Sequence, residues 1–163
     1  MELNIKIVED DTNDLNALLS LLNSYHMPYE KKIISYQNAL SILSANSPTD
    51  IYFLDFELPD KNGLETAKIL QKNNPDSIII FVSQKDDIVF DVQVVHTFYF
   101  IRKSNLKIDF ARAMIKLKPI LQDRKQVYCH KNKNQVIKIP INNIVYFEVF
   151  KNYVELHLND GQK

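Results

Sequence analysis

The stretch Ile51-Tyr52-Phe53-Leu54-Asp55-Phe56-Glu57-Leu58-Pro59-Asp60-Lys61-Asn62-Gly63-Leu64-Glu65 decides the fold. An apolar run of strand length ends in one carboxylate, Asp55, and a Pro-bearing loop then leads to Gly63 and a segment with helical spacing. That order puts Asp55 at the open carboxyl end of a strand. In an alternating strand-helix protein the carboxyl ends of parallel strands border the crevice where ligands bind. Asp55 is therefore a site candidate, the ordinary alternative being an acid that closes a strand at a solvated loop.

Toward the amino terminus, Leu3 to Val8 reads as a β-branched strand running straight into Glu9-Asp10-Asp11. Three consecutive acids repel one another, so such a cluster is either well solvated or bound to a cation, for which hard ions with oxygen ligands are suited. Thr12 or Asp11 can cap a helix with core leucines at Leu15, Leu18, Leu19 and Leu22, ending near His26-Met27-Pro28. Lys31 to Tyr36 then reads as a second strand and Gln37 to Ala45 as a short helix.

Toward the carboxyl terminus, the helix after Gly63 carries Leu64, Ala67, Ile69 and Leu70 and ends at Asn73-Asn74-Pro75. Ser77 to Val82 is a near-continuous apolar run, the pattern of a strand buried on both faces of a parallel sheet, and it ends in Ser83. Asp86 to Val94 fits a helix, Phe98 to Ile101 a fifth strand ending at Arg102-Lys103, and Leu106 to Gln122 a longer helix. The sum is an α/β chain with a (βα)5 alternation, hence a doubly wound parallel sheet.

Composition sets outer limits. At 163 residues the chain can bury one good core, with a remainder short of a second ordinary domain. Hydrophobic residues at 45% and charged residues at 25% are globular proportions, and no apolar run approaches the roughly 18 to 20 residues of a membrane span. Met1-Glu2-Leu3-Asn4 lacks a signal peptide's basic start and apolar region, so a cytoplasmic location and no membrane partner are expected. The lone Cys129 cannot form an internal disulfide and reads as a strand residue. A net charge of zero conceals an asymmetry: residues 1–123 hold 13 Lys or Arg against 17 Asp or Glu, and residues 124–163 hold 7 against 3. An acidic first part suits a cation site, and a basic second part suits a phosphate backbone.

Glu9-Asp10-Asp11, Asp55, Ser83 and Lys103 all stand at or just beyond strand ends, so the expected topology gathers them on one edge of the sheet. Carboxylates with one hydroxyl and one lysine describe a site that binds a divalent cation and handles a phosphoryl group. The acids can hold the metal, Asp55 can be the nucleophile, and Ser83 and Lys103 can bind phosphoryl oxygens. Each residue alone has a plain explanation, as a solvated turn, a loop hydroxyl or a surface lysine. Their joint placement is the signal.

Over residues 3–122 the chain resembles the response-regulator receiver domain of two-component signalling, which has a flavodoxin-like fold. The matching residues are the acidic pair Glu9 and Asp10, the phosphoacceptor Asp55, the hydroxyl residue Ser83, the aromatic switch residue Phe100 and the phosphate-binding Lys103. The run Leu58 to Glu65 is similar to the family's loop after the acceptor. The resemblance implies Mg²⁺ held by Glu9, Asp10, Asp55 and the backbone carbonyl of Glu57, and a sensor histidine kinase as phosphoryl donor. It implies a switch in which Ser83 moves toward the aspartyl phosphate and Phe100 fills the vacated space. The readout face would be the helix expected over Asp86 to Val94, the fifth strand and the final helix. The chain departs from the family at Ser104, where proline usually follows the lysine, often through a cis bond; a trans and looser loop is expected here. Glu57 and Lys85 flank the acceptor and are expected to tune the phosphoryl lifetime.

Beyond a short charged joint at 123–126 the pattern changes to strands over Val127 to His130, Gln135 to Ile139, Ile144 to Phe150 and Tyr153 to Leu158, with Pro140 as a break and Asn159-Asp160-Gly161 as a hairpin turn. Ile139 to Glu148, Lys151 to Val154, Leu156 to Leu158 and Asp160-Gly161 resemble the opening portion of a LytTR DNA-binding domain. A receiver domain over 1–122, a linker over 123–126 and an incomplete all-β LytTR segment over 127–163 are therefore expected. That resemblance implies promoter DNA as partner of the complete protein, with Lys151, Asn152 and Tyr153 in the contacting loop. A plain β-turn is the alternative for that loop, and exposed strand edges make a homodimer plausible on physical grounds.

The expected function is a phosphoaccepting response regulator with transcriptional output, not an enzyme. The alternatives are a protein-protein interaction switch without DNA binding and a receiver lookalike that never accepts phosphate because Ser104 misplaces Lys103. An aspartyl-phosphate hydrolase would want a second Asp two residues after the acceptor, where this chain has Glu57.

Overall fold

The computed structural model describes residues 2–27, 29–45, 47–84, 95–124, 127–131, 136–159 and 161. Lys85 and the helix expected over Asp86 to Val94 lie outside them, as does Asp160. The chain divides into two units, Met1–Ala113 and Met114–Lys163.

The first unit alternates β1 (Glu2–Val8), α1 (Thr12–Ser24), β2 (Glu30–Tyr36), α2 (Ala39–Leu43), β3 (Ile51–Asp55), α3 (Gly63–Asn73), β4 (Ile78–Ser83) and β5 (Thr97–Arg102), followed by a 3₁₀ turn at Lys103–Asn105 and α4 (Leu106–Arg124). The unit boundary falls within α4. All five strands are parallel, in the order β2-β1-β3-β4-β5. This is the doubly wound sheet expected from the strand-helix alternation, in the flavodoxin-like strand order that the resemblance implies. Every residue of β3 and β4 is buried, as their unbroken apolar runs require in a sheet covered on both faces.

The chain goes from β1 outward to β2, then returns across β1 to β3. The carboxyl ends of β1 and β3 thus border the point where the winding direction reverses, the usual crevice of such sheets. Register sets the level: Val8 lies beside Leu54, so Glu9 and Asp10 continue β1 at the height of Asp55, which itself lies beside Val82.

Packing explains the local departures. Leu18 and Leu22 of α1 are fully buried, while Leu15 and Leu19 are half-buried on the flanks of the same stripe. In α3, Ala67 and Leu70 are buried with Val8, Tyr52, Leu54, Ile79 and Phe81, whereas Ile69, expected in that apolar set, is exposed. On the opposite face Phe53 stacks on Phe110 of α4 at 6.4 Å between centroids. α2 is shorter than expected because Asn38 takes an extended conformation and caps it, its side chain accepting from the Ser41 N–H.

In the second unit, β6 (Val127–Lys131) pairs antiparallel with β7 (Val136–Pro140), and β8 (Ile144–Val149) with β9 (Val154–Leu158). Pro140 closes β7, as expected of a residue without an N–H to donate. Gly161 has φ of 79°, and its N–H donates to the Leu158 carbonyl at 3.1 Å, the left-handed turn that its sequence position calls for.

Candidate functional site

A cavity of about 270 Å³ opens at the carboxyl edge of the sheet, lined by Glu9, Asp10, Asp11, Asp14, Asp55, Glu57, Gln84 and Lys103. Among the described residues, six carboxylates face one ammonium. Glu9 and Asp55 are buried and Asp10 is exposed. Ligand oxygens of Glu9, Asp10 and Asp55 lie within 4.8 Å of one another. Three carboxylates in so small a volume, with the exposed one on the open side, fit a hard divalent cation that keeps several of its waters.

Lys103 closes the site from the 3₁₀ turn that follows β5. Its Nζ donates to Asp55 Oδ2 at 2.7 Å and to Glu9 Oε1 at 2.9 Å, and it pairs with Asp14 Oδ2 at 2.8 Å. Burial by itself would lower the lysine's pKa, but hydrogen bonds to Asp14, Asp55 and Glu9 outweigh it and push the value up, so the ammonium is charged at any working pH. Burial raises Glu9 to about 7; the neighbouring Asp55 charge adds to the rise and the Lys103 hydrogen bond opposes it.

The loop after Asp55 is fixed by its own backbone. Glu57 N–H donates to Asp55 Oδ1 at 3.2 Å, and Gly63 N–H donates to the Phe56 carbonyl at 2.8 Å. A Cβ on Gly63 would stand 2.3 Å from the Asp55 carbonyl oxygen and 2.7 Å from Phe56 Cα. Only glycine lets α3 start this close to the end of β3. On the other side, Asp11 caps α1, its Oδ1 accepting from Asn13 and Asp14 N–H.

Five of the site residues expected from sequence, Glu9, Asp10, Asp55, Glu57 and Lys103, line this one cavity. Ser83 ends β4 next to Arg102 in register and is fully buried, while its neighbour Gln84 lines the cavity. Phe100 is half-buried, lies beside Phe81 in register and packs against the core that contains it. Lys151, Asn152 and Tyr153 belong to the second unit, in the exposed turn joining β8 to β9, where Tyr153 stacks on Phe150 at 4.7 Å. No cis peptide occurs among the described residues, so the Lys103–Ser104 bond is trans.

Sequence reasoning did not find Asp14 or Gln84. Asp14 stands in the first turn of α1, three residues after its cap Asp11, and that place beside the acidic run was its available signal. Gln84 offered only its adjacency to Ser83.

The family model of the response regulator receiver domain matches residues 5–113. No curated protein matches the sequence. Among solved structures, the response regulator TrrA from Thermotoga maritima in complex with Mg²⁺-BeF is 25% identical, with a TM-score of 0.59 over 70% of this chain and 96% of that one. The BeF3-activated DrrB receiver domain is 22% identical, with a TM-score of 0.61 over 72% and 98%. The Mn²⁺-bound form of the response regulator Rcp1 is 22% identical, with a TM-score of 0.58 over 70% and 91%. The full response regulator DrrB, a Thermotoga maritima OmpR/PhoB homolog, is 20% identical with a TM-score of 0.62, and this chain spans 60% of it.

Proposed function

Because the chain belongs to the response regulator receiver domain family of two-component signalling, we propose that it receives a phosphoryl group on Asp55 from a sensor histidine kinase. The observation that carries this reading is the lysine ammonium 2.7 Å from Asp55 Oδ2, with Glu9 and Asp10 oxygens within 4.8 Å of the same carboxylate group. In the transfer, the N–P bond of a phosphohistidine breaks and an O–P bond to Asp55 forms. Lys103 is placed to take the charge of the phosphoryl oxygens, and the Ser83 hydroxyl to hydrogen-bond one of them once it turns toward the site.

Glu9, Asp10, Asp55 and the Glu57 carbonyl would hold Mg²⁺, which supplies positive charge against the phosphoryl oxygens when bound. The aspartyl phosphate then shifts a packing equilibrium in which Ser83 moves toward the phosphoryl group and Phe100 fills the space vacated. The chain acts as a phosphoacceptor switch, not a multiple-turnover enzyme, and we place it in the cytoplasm; no described helix is long and apolar enough to cross a membrane.

For the output, we assign residues 1–122 to the receiver, 123–126 to a linker and 127–163 to the opening part of a LytTR-type DNA-binding module that controls transcription at a promoter. The basic excess of residues 124–163 and the exposed Lys151-Asn152-Tyr153 turn support that reading. The alternative output is a protein-protein switch without DNA; salt-sensitive DNA binding that weakens in Lys151→Ala counts for the first, and none at low salt for the second.

The deciding experiment is intact mass after incubation with Mg²⁺ and acetyl phosphate. Wild type should gain one phosphoryl group and Asp55→Asn none. A folded wild type that stays unmodified refutes the acceptor assignment.

A further inference from the structure

We infer that Asp109 is the positioning residue that aims Lys103 into the site, an inference that rests on the phosphoacceptor reading above. Lys103 begins a 3₁₀ turn with no side-chain cap, and the residue after it is Ser104, joined by an ordinary trans bond. Among the described residues no cap of that turn and no cis bond holds the lysine at one angle. The buried Asp109 carboxylate does so from the first turn of α4.

Its Oδ2 accepts from the Arg102 backbone N–H at 3.3 Å and from Arg102 Nε at 2.7 Å. Its Oδ1 accepts from the second guanidinium nitrogen of Arg102 at 3.0 Å and from Asn105 Nδ2 at 3.3 Å. One carboxylate thereby grips the residue before Lys103 and the residue two after it. The bidentate guanidinium pair fixes direction as well as distance, because both groups are planar. The lysine held between them must reach Glu9, Asp14 and Asp55 at once, each within 3 Å, which leaves little angular freedom at its Cα. Asp109 touches none of the cavity's carboxylates. It acts on phosphoryl transfer only through the aim of Lys103.

The test is the rate of Asp55 phosphorylation by acetyl phosphate at saturating Mg²⁺ for wild type, Lys103→Ala, Asp109→Asn and the double variant. Misplacing a charge-stabilising group by about 1 Å costs up to about 100-fold, so Asp109→Asn should slow the reaction by about 10- to 100-fold. The double variant should be no slower than Lys103→Ala alone, because a lysine that is absent cannot be misaimed. The Mg²⁺-dependent rise in melting temperature should stay as in wild type, which separates aim from general loosening.

A wild-type rate in Asp109→Asn, or losses that multiply in the double variant, overturns the inference. Arg102→Gln, which removes the guanidinium at a side chain 39% exposed, serves should Asp109→Asn not fold, and a wild-type rate there is equally fatal. If wild type itself takes no phosphoryl group, the acceptor reading has failed; if it does and Lys103→Ala matches it, only the role of Lys103, and this inference with it, is lost.

Discussion

Glu9 and Lys103 share one charge balance at the residue scale, and the proposed Mg²⁺ site should answer to protons through it. Glu9 is raised from 4.5 to about 7, chiefly by burial. A carboxyl group raised in the folded state binds more protons folded than unfolded between those values. Its contribution to stability is thus full below about pH 4.5 and falls as pH climbs through 7. With Glu9 as the proposed ligand, metal binding needs its ionised form, so protons should compete with Mg²⁺ over the upper part of that window. Thermal melts with and without Mg²⁺ should show a stabilisation of about 2.7 kcal/mol at a hundredfold excess over Kd near pH 8. At pH 6 the apparent Mg²⁺ affinity should be about tenfold weaker, one proton per Glu9 and a shift of one unit below its pKa. A pH-independent Mg²⁺ effect would remove Glu9 from the ligand set. Gly63 gives a second residue-scale outcome: Gly63→Ala puts a Cβ against the Asp55 backbone, so it should cost about 1–3 kcal/mol in chemical denaturation and slow Asp55 phosphorylation as the strand end shifts.

At the scale of elements, the joints between strand and helix carry the site. Asn62 caps α3 by accepting from the Leu64 N–H at 2.7 Å, at the end of the loop that bears Glu57. Asn62→Ala should cost about 1 kcal/mol by denaturant titration, an N-cap's ordinary contribution. Between β5 and α4, the Arg102 hydrogen bonds hold the Asp109 carboxyl below its ordinary value, against the opposing effect of burial. A depressed carboxyl contributes stability above its unfolded pKa, near 4, and loses it as pH falls through the lower folded value. Acid titration of unfolding should therefore show a slope below about pH 4 that Asp109→Asn flattens.

These joints also separate what the sequence makes legible from what it does not. Unbroken apolar runs at Ile51 to Leu54 and Ile78 to Val82 specify strands buried on both faces, and the acids and lysine that follow strands mark the edge where they meet. Asp109 carried no such mark. A lone Asp in an amphipathic segment reads as solvated, and only the fold reveals that Arg102 lies opposite it. Lys6 was equally silent: it interrupts an apolar strand, yet it is buried, its Nζ donating to the Ala45 and Ser47 carbonyls at 3.3 and 3.2 Å. Side chains whose burial depends on a partner distant in sequence escape local patterning. Ser83 is the intermediate case, since its place at a strand end was readable and its burial away from the open cavity was not.

At the scale of the whole molecule, the two units differ in how they satisfy their strands. The first closes five strands under helices, whereas the second holds two separate two-stranded sheets, each strand with an unpaired edge among the described residues. Two-stranded ribbons are marginal in water on their own. Their side chains show the same shortfall: Val145, Phe147, Val149, Tyr153 and Val154 are all exposed, Val149 by 76%. Apolar side chains beside open edges favour edge-to-edge pairing between copies, since pairing satisfies backbone N–H and C=O groups and removes apolar surface from water together. Sedimentation velocity should accordingly show self-association that grows from micromolar toward millimolar concentration. Val149→Lys places a charge on β8 at its closing pair with Val154, and should move the protein toward monomer without changing phosphorylation of Asp55, which lies in the other unit. A wild type that remains monomeric throughout that range would mean these edges are covered within one chain. Association unaltered by Val149→Lys would place the contact elsewhere, away from the β8–β9 ribbon.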